Sequence, residues 1–165
     1  MFDSNFSYAS SSPLPSSASP DAALSLLHDF GAIITLNPDC KGFTPVDSQS
    51  DTTTEYKVEE ALSFIPKKLW DGSVYYQAFF TVLRDGCDIL IKAPGGFQST
   101  NHWKLKEGQD GRMLIEITSD GKCNKTFASF VKKFVASTQP TLQRAFAARL
   151  QEKQRPGMGR RRSSW

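Results

Sequence analysis

Glu60 is the residue whose type and setting point most directly to chemistry. From Glu55 to Phe64, the residues Tyr56, Val58, Glu60, Leu62 and Phe64 alternate with Glu55, Lys57, Glu59, Ala61 and Ser63, the period of a half-buried strand. The alternation sets the Glu60 carboxylate on an otherwise apolar face. A carboxylate turned into an apolar interior loses hydration, its acid form is favoured, and it becomes a candidate general acid or base. The plainer alternatives are a paired or water-bridged glutamate, or a register slip that turns the group to solvent.

Further polar groups fall on the same kind of face. Phe97, Ser99, Asn101, Trp103 and Leu105 alternate with Gln98, Thr100, His102 and Lys104. The first set would line an interior with two small polar groups among aromatics, as a ligand's carbonyl or hydroxyl requires. The second would face water, which makes His102 a surface histidine rather than a catalyst. Tyr75 and Tyr76 must point to opposite faces of one strand. Tyr76 shares its face with Val74, Ala78, Phe80 and Val82, the more uniformly apolar set, and is assigned inward, where its hydroxyl needs a partner from the core or from a ligand. Ile89 and Ile91 of the next strand are placed on the same wall. His28, beside Leu27 and Phe30 near the end of a short helix, would cap or pack there, or border the mouth of an interior space.

Other chemistries lack their residues. Two histidines and three well-separated cysteines, Cys40, Cys87 and Cys123, offer no short metal-ligand spacing, so neither a metal nor another cofactor is expected, and the cysteines read as reduced packing thiols. Gly95-Gly96 lies between strands and reads as a turn, not a phosphate loop, and there is no Gly-x-Ser-x-Gly elbow. The formal net charge of +3 is also misleading. Lys153, Arg155, Arg160, Arg161 and Arg162 lie in the last thirteen residues with no acid among them, leaving 15 basic against 17 acidic residues before them. A mildly acidic domain is not built to grip nucleic acid through phosphates.

The elements that must position these residues follow from period and punctuation. The serine-rich stretch 1–18 reads as a flexible arm or at most a short edge strand through Phe6 and Tyr8. Ser19, Pro20 and Asp21 open a helical pattern carried by Ala23, Leu26, Leu27, Phe30 and Ile34, and Gly31 divides it into two short helices over 20–30 and 31–36. Period two follows, with strands over 40–46, 53–64, 73–84, 87–93, 97–106 and 112–119. Four Asp-Gly pairs, at Asp71, Asp85, Asp110 and Asp120, would supply type I′ hairpin turns between them. Helical period returns after Cys123, with Phe127, Phe130, Val131 and Phe134 on the apolar face. Pro140 is expected to kink or split this helix before it ends near Glu152. The last residues, 153–165, read as a disordered basic tail that could contact acidic partners or serve nuclear targeting through Arg160, Arg161 and Arg162. No run is long and apolar enough to span a bilayer and no secretory leader is visible, so a cytoplasmic setting is expected.

Two short helices, six or seven antiparallel strands and a long aromatic C-terminal helix make an α+β arrangement in which a curved sheet wraps the final helix. In this order, Leu27-His28-Asp29, Leu36-Asn37-Pro38, Ile65-Pro66, Leu69-Trp70-Asp71-Gly72, Lys92-Ala93-Pro94-Gly95-Gly96 and Phe130-Val131-Lys132-Lys133 occur as spaced patches over about residues 13–152. The chain thereby resembles the SRPBCC superfamily, also called START-like or Bet v 1-like, with the helix-grip fold, and is similar to an uncharacterised fungal SRPBCC-type domain family. The resemblance implies a cavity between sheet and helix for a hydrophobic small molecule: a lipid, sterol or polyketide-like metabolite. It also implies that some relatives are cyclases or dehydratases, for which Glu60 would be the acid or base. The wall would consist of Tyr56, Val58, Glu60, Leu62, Tyr76, Phe80, Ile89, Ile91, Ser99, Asn101, Trp103, Phe127, Phe130, Val131 and Phe134. The alternative is a ligand-free interaction module whose phenylalanines fill the gap.

Overall fold

The computed structural model describes residues 3–46, 51–63, 66–68 and 71–153. One antiparallel, curved sheet holds seven strands: β1 (Asp3–Pro13), β2 (Cys40–Pro45), β3 (Thr53–Ala61), β4 (Ser73–Leu83), β5 (Gly86–Lys92), β6 (Gln98–Glu107) and β7 (Met113–Asn124). They lie in the order β1-β7-β6-β5-β4-β3-β2, so β2 to β7 form a meander and the first strand pairs with the last. Three helices, α1 (Pro20–Leu27), α2 (Phe30–Ile34) and α3 (Ala128–Lys153), complete an α+β helix-grip fold. None is long and apolar enough to cross a membrane.

Local chemistry sets the helix starts. Ser19 Oγ accepts from Ala22 N at 3.3 Å and Pro20 holds the first turn. The break between the short helices falls at His28 and Asp29, not at Gly31. Asp29 takes an extended backbone and its Oδ1 accepts from Ala32 N at 3.2 Å, so a capping side chain, not glycine flexibility, starts α2. Gly31 instead lies inside α2, where a Cβ would stand 3.0 Å from the Phe43 ring. Asp29→Ala is expected to cost about 1 kcal/mol in urea unfolding, with Asp29→Asn restoring most of it.

Three sequence expectations change. First, residues 3–13 are an eleven-residue strand paired with β7 from Asp3↔Asn124 to Pro13↔Leu114, longer than an edge through Phe6 and Tyr8 alone. Second, no Asp of an Asp-Gly pair has the positive φ of a type I′ turn; Gly72 and Gly111 do, whereas Gly86 and Gly121 do not. Asp120-Gly121 lies within β7, where a Cβ on Gly121 would be 2.2 Å from the Gln98 carbonyl oxygen; glycine is there for close strand approach. Third, α3 continues through Pro140 as one helix. Gln139 and Gln143, on either side of the proline, are tied to β1. Gln139 Nε2 donates to Tyr8 O at 3.1 Å, and Gln143 Nε2 to Ser10 O at 3.0 Å.

Two apolar clusters result. The larger joins α1, α2 and the sheet to the distal half of α3 through fully buried Phe146 and Leu150. The smaller comprises Phe6, Cys123, Ala128 and Val131, with Phe97, Phe127 and Val135 against it. The basic run 154–165 and the patches at Ile65 and Leu69-Trp70 lie outside the described residues, as does Phe64.

Candidate functional site

Between the two clusters the sheet and α3 do not close. A predominantly apolar cavity of about 300 Å³ remains, bounded by the sheet, α2 and the first half of α3. Of the residues expected to form its wall, Glu60, Leu62 and Tyr76 stand at one side and Ile89 and Ile91 on the sheet floor. Ser99, Asn101 and Trp103 continue that floor, and Phe127, Val131 and Phe134 form the helix side. Leu62 lies just past the end of β3, yet still reaches the space.

Tyr56, Val58, Phe80 and Phe130 do not line it. The alternation gives Tyr56, Val58 and Phe80 the inward face, but α2 inserts Phe30 against that part of the sheet. Its ring stacks on Tyr56 at 4.0 Å and meets Phe80 edge-on at 5.5 Å, which separates them from the cavity; with His28 and Phe43 they border a different, more open recess. Val58 is completely buried in the same core. Phe130 misses because the helical phase that aims Val131, Phe134 and Leu142 at the cavity leaves it on the flank of α3, half-buried.

Glu60 is the only formally charged side chain in the wall among the described residues. Its Oε1 accepts from Asn37 Nδ2 at 2.9 Å and from the Tyr76 hydroxyl at 3.2 Å. Burial raises its pKa and the neighbouring Asp39 adds to the rise. The two hydrogen bonds oppose it, and the balance lies at about 7. Burial, reinforced by the facing Glu60, likewise pushes the Tyr76 phenol well above its ordinary range, so it stays a donor. Asn37 was not anticipated as a partner. The only signal was its place before Pro38, where a helix must stop and a side chain is free to turn back.

A second polar pole was also missed. Gln139, 2% exposed, donates through Nε2 to Ser119 Oγ at 3.0 Å as well as to Tyr8 O. Ser119 Oγ donates to Asn101 Oδ1 at 2.7 Å. Gln139 and Gln143 precede Phe146 and Leu150 at i, i+4, i+7 and i+11, so their place on the apolar stripe was visible, but their polarity disguised it.

His102 is on the opposite face of the sheet, its Nδ1 2.7 Å from Asp88 Oδ1 and its Nε2 3.7 Å from Asp120 Oδ2. His28 Nε2 lies 2.8 Å from the Leu83 carbonyl and caps α1, away from this cavity. The three cysteines are unpaired; burial raises all three thiols, Cys87 up to about 12, which keeps them protonated. No three His, Cys, Asp or Glu side chains among the described residues converge on a metal-sized space.

Against known families, the profile of a domain of unknown function, DUF7053, matches residues 3–152. The chain belongs to the DUF7053 family. No curated protein matches the sequence. Solved structures do match the fold. The Zhui aromatase/cyclase from Streptomyces sp. R1128 aligns over 93% of this chain and 96% of its own, with TM-score 0.66 and 10% identity. A START superfamily protein from Mycobacterium smegmatis aligns over 90% and 97%, with TM-score 0.64 and 15% identity. Ara h 8.0201 aligns over 91% and 99%, with TM-score 0.59 and 15% identity. These likenesses establish that this DUF7053 chain has the START/Bet v 1-like, SRPBCC fold.

Proposed function

We propose that the chain binds a hydrophobic small molecule between sheet and α3. The observation that carries this reading is the apolar cavity itself. Solid packing is the default of protein interiors, and a deep apolar space of this size with a few convergent polar groups is the usual form of a small-molecule site. The fold neighbours support it, since an aromatase/cyclase shares this architecture. A neutral fluorophore such as N-phenyl-1-naphthylamine is expected to bind one-to-one with a blue-shifted emission. Ile91→Phe, which fills the floor, is expected to weaken that binding at least tenfold while leaving the unfolding midpoint nearly unchanged. Absence of binding, or binding indifferent to Ile91→Phe in a folded variant, would leave the ligand-free module as the better account.

A second reading is favoured by one observation, the Glu60 carboxyl group set in a predominantly apolar wall beside Asn37 and Tyr76. A carboxyl group poised near neutrality inside an apolar space can both give and take a proton, as a cyclase or dehydratase acting on a polyketide-like substrate needs. If Glu60 performs that transfer, Glu60→Gln abolishes turnover while preserving ligand affinity. Retained turnover in the folded variant would exclude it.

A further inference from the structure

The hydrogen bonds around the cavity fix which way its polar groups face. Gln139 Nε2 has two protons, and both are used, on Tyr8 O and Ser119 Oγ; its Oε1 accepts from Ser10 Oγ. Ser119 Oγ, already an acceptor, spends its single proton on Asn101 Oδ1. This relay leaves Asn101 with its amide N–H groups unpaired among the described residues, in a side chain that lines the cavity. At the other pole, Asn37 and Tyr76 both donate to Glu60 Oε1, leaving Oε2 without a protein donor among the described residues. Glu60 and Asn101 lie on strands three places apart and at different levels, since the ladder sets Asn101 in line with Ile89, Phe80 and Thr54, six residues along β3 from Glu60. No Lys, Arg or His lines the cavity among the described residues.

We infer that the ligand is an uncharged molecule with a carbonyl-type acceptor for Asn101 and a hydroxyl for Glu60. Anionic lipids are excluded. This rests on the cavity being a ligand site and deepens that reading. A carboxylate or phosphate would enter an apolar space with no cation to pair it and a carboxyl group already present, a desolvation cost that nothing in the wall offsets. A simple hydrocarbon would leave the Asn101 donors buried without a partner.

Calorimetric titration with a matched set tests this. Estrone carries a phenol and a ketone at its two ends; 17-deoxyestrone lacks the ketone, 3-deoxyestrone lacks the phenol, and oleate is the anionic comparison. Estrone is expected to bind about tenfold or more tightly than either deoxy compound, the worth of one well-made hydrogen bond, and oleate more weakly still. Asn101→Leu is expected to erase the preference over 17-deoxyestrone, because both compounds then meet the same apolar wall with no donor left to satisfy. Should Asn101→Leu fail to fold, Ser119→Ala serves. It frees the Asn101 amide to turn over, and the ketone preference is expected to shrink several-fold. If all four compounds fail to bind, the ligand-site reading falls and this inference with it. If estrone and 17-deoxyestrone bind equally, or oleate binds best, the cavity remains a ligand site and only the assigned polarity is overturned.

Discussion

Glu60→Gln stabilises the folded chain at pH 8 by about 1–3 kcal/mol and leaves it nearly unchanged at pH 4.5. The carboxyl group titrates near 7 in the fold against an ordinary value of 4.5. Between those limits the native state holds a proton that the unfolded chain has released. Stability therefore falls as pH rises through this window, and the whole cost is present above it. The lower end of the range allows for the water that a half-buried carboxylate keeps within reach. Glutamine retains an oxygen that can accept from Asn37 Nδ2 and the Tyr76 hydroxyl, so the substitution removes the charge with little loss of hydrogen bonding. Urea unfolding of both proteins across pH 4.5–8.5 checks this. The wild type should slope downward where the variant is flat, and parallel profiles would mean that the carboxylate is solvated.

Gly86→Ala is expected to destabilise by about 3 kcal/mol or more, the level of a severe overpacking defect. A Cβ there would stand 1.8 Å from the Trp103 carbonyl oxygen and 2.8 Å from its carbon, both backbone atoms that no rotamer change can move. Relief requires β5 and β6 to separate at the Gly86↔Lys104 pair, and Trp103 forms part of the cavity floor. The variant should accordingly lose ligand affinity as well as stability. Gly42→Ala is the control: nothing lies within 4 Å of its Cβ position, and its midpoint should move by less than about 0.5 kcal/mol. Equal effects at the two glycines would show that the strands yield more readily than their spacing implies.

Strand alternation was enough to place Glu60, Tyr76, Ser99, Asn101 and Trp103 on one face, because a side-chain period of two leaves no other choice once register is set. It could not say which stretch of that face stays open. Tyr56 and Phe80 satisfy the same parity, and only the insertion of Phe30 from α2 decides that they are core. Asp120-Gly121 carries the residues of a turn inside a strand, since close approach to Gln98 and a positive φ both select glycine. Gln139 and Gln143 escaped notice for a different reason. Their burial is explained by distant backbone carbonyls of β1, a long-range fact that no local pattern encodes.

Those two glutamines have a consequence beyond the cavity. The sheet has two outer strands, and each must be kept from recruiting another chain. β2 is short, bulged between Cys40 and Gly42, and ends in Pro45, so it is a poor template. β1 is eleven residues long and has no such interruption before Pro13; its Tyr8 and Ser10 carbonyls are occupied by amides from α3. Undocking the helix, by truncation or by loss of Phe146 from its seat, would uncover an extended template for intermolecular pairing. The shielding of β1 from intermolecular pairing is in this way vested in the last helix.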